Sequence, residues 1–400
     1  MITQLFKLLW KQRKFNSLMI VEIAFSFIAL MALSATCIHF WKRYNEPLGM
    51  EYKNMWILYA HQPWNIAPEL QLTDSVKAIK IEEIKKFVKN NYSEVLAVSK
   101  ITGFDYVYTQ SSSSSCNDLE NKQICYNSSP TEPDLAKTFG MKILEGRWII
   151  DEDRFSNVET AVINKKLKEE LFGNGFVAGK TFYIGKEKPR ALKIVGVFEA
   201  LKKNGEFEKE PNFMLTAHRE KHNPYGGVAI KLRPGISKNF EDQLIKDLNA
   251  MDKTYEFRIE KMEETRKYYL AAKLAPLIII GSIVIFLIVN VMLGLFGMLW
   301  LNISRRKSEI GLRRAVGSTG NKIVWRILGE TYVLALVSMS IGFLFTMQLF
   351  IYNLFDTPVA TLVQANLLSL AIILILCTIS AYAPARLAAS LEPAEALHEE

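Results

Sequence analysis

Apolar and polar positions along the chain are segregated on a scale much longer than a helical turn. Four nearly continuous apolar blocks, 18–41, 273–301, 323–354 and 367–383, alternate with polar stretches, of which 42–272 is the longest. A helix needs about 20 mostly apolar residues to cross roughly 30 Å of hydrocarbon. The blocks are of that order, so the pattern predicts four transmembrane helices. The first contains Glu22 near its start, the second has no charge after Lys273 at its edge, and the third has Arg326 and Glu330 near its beginning. Ahead of the first, Ile2, Leu5, Phe6, Leu9 and Trp10 recur at helical spacing. They predict an amphipathic helix over 1–17 lying on the inner membrane face; the alternative is a frayed approach to the first span. The first block exceeds the 7–15 residues of a signal-peptide core, so it is read as an uncleaved helix.

Within 42–272 the pattern shortens to single strands and helices. Trp56–Tyr59 reads as a strand, Val76–Val88 as a helix and Val95–Val98 as a strand. The order recurs later, with Gly227–Leu232, Phe240–Leu248 and Tyr255–Ile259. Two strand–helix–strand halves sharing one sheet are the expectation, formed by 42–100 and 226–272. The middle, 101–225, is richer in short strands: Ala161–Asn164, Thr181–Ile184 and Leu192–Val197, with a helix over Lys165–Phe172. It reads as an insertion, and the Ser111–Ser115 run reads as an exposed loop. The expected fold class is an α-helical membrane protein with four transmembrane helices and a large α+β extracytoplasmic domain between helices 1 and 2.

Charge orients the spans. Lys7, Lys11, Arg13 and Lys14 precede the first, and Arg305, Arg306, Lys307, Arg313, Arg314 and Lys322 fill 302–322 between the second and third. The loop 355–366 has no Lys or Arg. Basic residues in short loops stay inside, so both termini, including the tail 384–400, and the 302–322 loop are expected in the cytoplasm, with 42–272 outside. The chain carries 49 basic and 41 acidic residues, but the outer stretch has 36 and 33. Much of the +8 net charge is therefore a topology signal, and nucleic-acid binding loses its main support.

Candidate chemistry is sparse. Gly179-Lys180-Thr181 ends like a phosphate loop but has Asn174 where glycine is needed. His218 and His222 have metal-ligand spacing without a third ligand. No catalytic, cofactor or metal residues are assigned, and an enzyme with its own active site is not expected. Cys37 and Cys377 lie within spans, whereas Cys116 and Cys125 share an outer loop where oxidation is permitted, and a local disulfide is expected there. Polar residues inside a membrane are costly and informative. Glu22 and Glu330 sit near span ends, Glu330 within reach of Arg326; Asn290, mid-span, is placed to hydrogen-bond a neighbouring helix or its copy in a dimer.

The loop after the second block reads Arg305-Arg306-Lys307-Ser308-Glu309-Ile310-Gly311-Leu312-Arg313-Arg314-Ala315-Val316-Gly317-Ser318. On its own it is a short helix, with Ile310, Leu312 and Val316 for apolar contacts, Arg306, Arg313 and Arg314 around them, and a Glu309–Arg313 pair four residues apart. It fits docking into a partner's groove, or simple attachment to anionic headgroups. The loop resembles the ERxxEIGxRRAxGA signature of the MacB/FtsX-like ABC transporter permeases, departing at Arg305, where an acid is usual. The terminus Ala383-Pro384-Ala385-Arg386-Leu387-Ala388-Ala389-Ser390-Leu391-Glu392-Pro393-Ala394-Glu395-Ala396-Leu397 is similar to that family's PARRAARLDPxEALR ending, with Leu387 and His398 replacing basic residues. Leu144-Glu145-Gly146-Arg147 with Asp151, Ala161–Asn164, Leu171-Phe172-Gly173, Gly179-Lys180 and Ile194–Val197 look like the MacB periplasmic core domain in order.

The resemblance implies a permease subunit without catalytic activity, coupled to a separate ABC ATPase that binds the ATP. It implies a porter-like lobe with an inserted lobe, a homodimer or paired permease, and residence in the bacterial inner membrane with the large domain in the periplasm. It further implies a coupling helix in which Arg306, Glu309, Ile310, Gly311, Leu312, Arg313, Arg314, Val316 and Gly317 meet the ATPase. Motion would pass through rigid spans by mechanotransmission, to expel a drug, peptide or toxin, with a membrane-fusion or outer-membrane exit protein as a further partner. Lipoprotein extraction and control of a cell-wall hydrolase use the same machinery, and a membrane-anchored sensor or adhesion receptor is the reading from a different class.

Overall fold

The computed structural model describes residues 13–63, 71–101, 114–119, 122–185, 189–217, 226–237, 239–352 and 358–390. The amphipathic pattern of 2–10, the His218/His222 pair and the end of the C-terminal motif from Leu391 lie outside these residues. The chain divides into a membrane unit, 1–42 with 273–400, and an outer unit, 43–272.

The outer unit contains two sheets. The first has strands β1 (Met55–His61), β2 (Val95–Ile101), β10 (Gly227–Leu232) and β11 (Glu256–Lys261), in the order β11-β1-β10-β2 with every neighbour antiparallel. Helices α2 (Asp74–Asn91) and α5 (Phe240–Met251) complete two β-α-β halves whose strands interleave, the split arrangement of ferredoxin-like domains. Ala78, Ile81, Ile84 and Val88 repeat at helical spacing in α2. Of these, Ile81, Ile84 and Val88 pack with Leu244 and Leu248 of α5 on Leu58, Val98, Val228 and Ile230 of the strands. Strand alternation sends Ile57 and Ala229 to the opposite face, into a second core that includes Phe139, Phe198, Leu201 and Phe213 of the inserted lobe.

The inserted lobe carries β3 (Ser114–Leu119), β4 (Lys122–Thr131), α3 (Leu135–Phe139), β5 (Ile143–Gly146), β6 (Glu159–Asn164), α4 (Lys165–Phe172), β7 (Thr181–Ile184), β8 (Arg190–Phe198) and β9 (Phe213–Ala217). The strand order is β5-β8-β6-β9-β4-β3-β7, and β7 also pairs with β8, so six of the strands form a ring. Ile163, Leu167, Phe182, Leu192, Ile194 and Met214 are in its core. Helix α4 begins where the Asn164 side chain accepts the Leu167 N–H and stops at Gly173. Ser114 and Ser115, expected in a loop, instead pair with Asn127 and Tyr126 in the β3–β4 hairpin; its partner strand supplies the order their composition lacks.

The membrane unit is built from α1 (Arg13–Asn45), α6 (Met262–Arg305), α8 (Gly320–Tyr352) and α9 (Val359–Ser390), with the short helix α7 (Lys307–Ala315) between α6 and α8. All four long helices are long and apolar enough to span a membrane. Met19, Ile23, Phe27 and Leu30 form one stripe on α1 and pack with Val291 and Leu295 of α6, Leu334 and Met339 of α8 and Ile373 of α9. Lys42 at the end of this α1 segment donates to Thr361 Oγ1 and Gln364 Oε1 of α9, at 2.9 and 2.8 Å.

Candidate functional site: a docked helix at the basic end of the bundle

Helix α7 starts just after Arg306, with Glu309 in its first turn, where a carboxylate favours the helix dipole. It ends with Gly317 at φ +94°, a conformation that side chains rarely adopt. There the Gly317 N–H donates to Arg314 O and the Ser318 N–H to Arg313 O, a Schellman closure. Gly317 therefore has a geometric reason to stand where it does.

Ion pairs hold the helix to the bundle. The Arg306 guanidinium reaches Glu309 at 3.0 Å and Glu330 of α8 at 3.2 Å. Glu309 also meets Arg313 at 2.8 Å, and Glu330 meets Arg326 at 3.5 Å. Five charged side chains thus form one chain, Arg313–Glu309–Arg306–Glu330–Arg326. Hydrogen bonding from Arg306 outweighs burial and holds the Glu309 carboxyl below the usual carboxylate range. The exposed Glu309–Arg313 pair contributes at most about 1 kcal/mol, and the half-buried Arg306–Glu330 pair fixes the orientation of α7 against α8. The intervals Glu309–Arg313 and Arg326–Glu330 are legible in the sequence. The bridging role of Arg306, 24 residues from Glu330, has no local signal.

The nine candidate coupling residues separate into two faces. Ile310 and Gly311 are buried, and Ile310 packs with Leu299, Ile323, Ile327, Ala381, Ala385 and Ala388. Leu312 is 56% exposed and Val316 82% exposed. Ile310 is thus an anchor to the chain's own bundle, while Leu312 and Val316 are presented outward. Arg314 is half-buried and donates to the Ala389 carbonyl at the end of α9, at 2.7 Å. The basic loop and the C-terminal segment around Pro384–Ser390 therefore meet, although about 75 residues separate them. The cleft beneath α7, about 40 Å³, is lined by Arg306, Glu309, Arg326 and Glu330. That volume suits a water molecule rather than a ligand.

The other singled-out residues lie elsewhere. Asn290 donates to Phe286 O of its own helix at 2.8 Å and is exposed on α6, so within this chain it bonds locally rather than to a neighbouring helix. Glu22 lies beside Gly294 of α6. Glu330 belongs to the network. Cys116 and Cys125 are register partners in the β3–β4 hairpin and are joined by a disulfide.

The motifs joined at α7 agree with comparisons to known proteins. The MacB-like periplasmic core domain matches residues 17–246, and the FtsX-like permease C-terminal domain matches 281–393. The chain belongs to the MacB/FtsX-like permease family. It is similar to the macrolide export ATP-binding/permease protein MacB of Pasteurella multocida, 25% identical over 65% of this chain and 41% of that protein. The counterpart from Paracoccus denitrificans is 24% identical over 65% of this chain and 40% of that one. The permease thus spans about two-fifths of the length of these curated relatives. Among solved structures, the periplasmic region of MacB from Actinobacillus actinomycetemcomitans aligns with a TM-score of 0.36 and 16% identity, covering 57% of this chain and 97% of that one. The extracellular domain of the noncanonic ABC-type transporter YknZ from Gram-positive bacteria aligns at 0.35 and 15%, covering 52% and 100%. The permease is a membrane protein with four spanning helices and a periplasmic-core-type domain between the first and second.

Proposed function

We propose that this permease works with a separate ABC ATPase, using α7 as the coupling helix, and that it exports a drug, peptide or toxin by mechanotransmission. Basic residues flank α7 and the start of α1, so both termini and α7 face the cytoplasm and 43–272 faces the periplasm of a bacterial inner-membrane protein. ATP is bound and hydrolysed by the partner. Four helices make a thin pathway, and two permease copies, identical or paired, complete the machine. Closure of the ATPase dimer displaces α7, the long helices carry the displacement outward, and cargo is driven toward a membrane-fusion or outer-membrane exit protein.

The observation that supports this most directly is the division of α7 into a pinned face and an offered face. Arg306, Ile310 and Arg314 fix the helix to the bundle, so a push on Leu312 and Val316 is delivered to α8 and α9 rather than absorbed by a loose loop. A headgroup-binding loop has no need of that attachment. The test is affinity purification of the tagged permease from native membranes, reading ATPase activity and co-purified protein. Leu312→Glu and Val316→Glu change exposed side chains and should remove the ATPase while leaving the bundle folded. Glu309→Lys and Arg313→Glu should do the same by breaking the network that orients α7. Undiminished ATPase capture by all four variants would remove α7 from the coupling role.

A further inference from the structure

The outer unit contains an unusual loop. Residues 199–212 join β8 to β9, which flank β6 on either side. Loops ordinarily run over the surface because their polar groups need water. Here Lys202 is fully buried, and Lys203 and Glu206 are each 5% exposed. Buried charges are retained only when paired and hydrogen-bonded, and these pairings lead to two sequence-distant places.

One is the end of α1. The Lys202 ammonium donates to the Arg43 carbonyl at 2.9 Å and to Glu46 Oε2 at 2.6 Å, and its backbone N–H donates to Leu48 O at 3.0 Å. Gly49, at φ +81°, lies so close to the Ala200 carbonyl that a Cβ would stand 1.8 Å from its oxygen. The other is the start of α6. Glu206 pairs with the Arg266 guanidinium, which also donates to Tyr44 Oη at 3.2 Å and stacks over the Tyr52 ring at 4.4 Å. Gly205, at φ +99°, would bring a Cβ to 2.4 Å from Tyr269 Cε1. The Tyr44 and Phe207 rings lie 6.1 Å apart. Arg266 thus contacts both the loop and the end of α1.

We propose that residues 199–208 are a clasp holding the last turn of α1 and the first turns of α6 in fixed register with strands β8 and β9, with Lys202, Glu206 and Arg266 as its positioning residues. It rests on the mechanotransmission reading, for which it supplies the point where helix displacement enters the inserted lobe. The clasp follows Phe198 directly and precedes Phe213 by only a few residues, so any shift of the two helix ends pulls on both strands beside β6. Hydrophobic packing could hold these segments together but would let them slide. Bidirectional charge pairing allows one register only.

The test uses the full-length permease in lipid nanodiscs, with hydrogen exchange resolved by peptide. Glu206→Gln leaves the half-buried Arg266 guanidinium short of its counter-charge, and Lys202→Met removes the buried ammonium that holds the Arg43 carbonyl and Glu46. Each is expected to raise exchange about a hundred-fold not only in 199–208 but together in 43–49 and 262–270. Arg266→Lys keeps the charge pair and is expected to retain most of the protection. An increase confined to 199–208, or equal losses in Arg266→Lys and Glu206→Gln, would overturn the clasp. A second measurement uses the permease co-purified with its ATPase. Trapping with ATP and vanadate should alter exchange in β8 and β9 of the wild type, and Glu206→Gln should abolish that response while ATPase capture and hydrolysis continue. A response that survives in Glu206→Gln would also overturn the proposal. The first measurement needs no ATPase. If none accompanies the wild type, the transport reading fails, whereas the clasp is still decided by the exchange at the helix ends.

Discussion

Arg147 and Asp153 illustrate what one side-chain pair contributes in the inserted lobe. The guanidinium meets both carboxylate oxygens, at 2.6 and 2.8 Å, and the Ile150 N–H adds a third donor at 2.9 Å. Hydrogen bonding from Arg147 dominates and holds the Asp153 carboxyl below the usual range, against the opposing effect of burial. A depressed folded-state pKa stabilises the fold above the ordinary Asp value of about 3.9, and that stability disappears as pH falls through the lower folded value. Asp153→Asn is therefore expected to lower stability by about 2 kcal/mol at pH 7. The deficit should shrink as pH falls below about 4, because the wild type then loses the same charge. Thermal unfolding of the full-length chain in detergent, with Trp148 as a local reporter, checks this. A deficit that stays constant down to pH 2 would show that the charge is irrelevant. Asp151 of the sequence motif lies 3.6 Å from Arg154, while the bidentate contact of Arg147 goes to Asp153, as the backbone turn at 150–153 sets it.

At the level of elements, legibility followed the range of the forces involved. The four long helices are written in continuous apolar runs, since a bilayer demands length and apolarity from each helix separately. Helix α4 spans the Lys165–Phe172 that the sequence pattern predicts, and Asn164 and Gly173 fix its two ends locally. Strand β4, with the sequence KQICYNSSPT, carries no strand pattern, and its order comes from β3 on one side and β9 on the other. The buried charges of 199–208 look like an ordinary polar loop because the groups they pair with lie about 60 to 160 residues away. The β3–β4 hairpin gives the element-scale prediction. Its disulfide closes a loop with a sequence separation of 9, for which chain entropy sets a ceiling of about 3 kcal/mol. Because the hairpin ladder already restrains that loop, the Cys116→Ser/Cys125→Ser double variant should fall well below the ceiling, by about 1 kcal/mol. Exchange should rise in 114–131 and stay unchanged in the four-stranded sheet. Destabilisation spread over both sheets would mean that the bridge supports the entire outer unit.

On the scale of the whole molecule, the four spanning helices are unequally used by their own chain. The most apolar stretch of α6 is only 11% buried, whereas those of α1, α8 and α9 are 33–44% buried. Ile278, Ile279, Ile285, Phe286 and Leu293 all face outward from it. Lipid alone can cover such a surface, but lipid gives no reason for a polar side chain at its centre. Asn290 sits there, exposed and satisfied by Phe286 of its own helix. That bond uses only the Asn290 amide N–H, and in hydrocarbon the side-chain oxygen, an acceptor, gains from a donor on another helix. The two-copy machine proposed above would provide one across a two-fold axis, which places α6 against α6. In native membranes, Asn290→Cys in a background lacking Cys37 and Cys377 should cross-link into dimers under mild oxidation. Ile375→Cys on α9, also exposed, should remain monomeric under the same treatment. Efficient cross-linking at Ile375 with none at Asn290 would move the copy–copy face from α6 to α9. Monomers at both positions would leave α6 facing lipid.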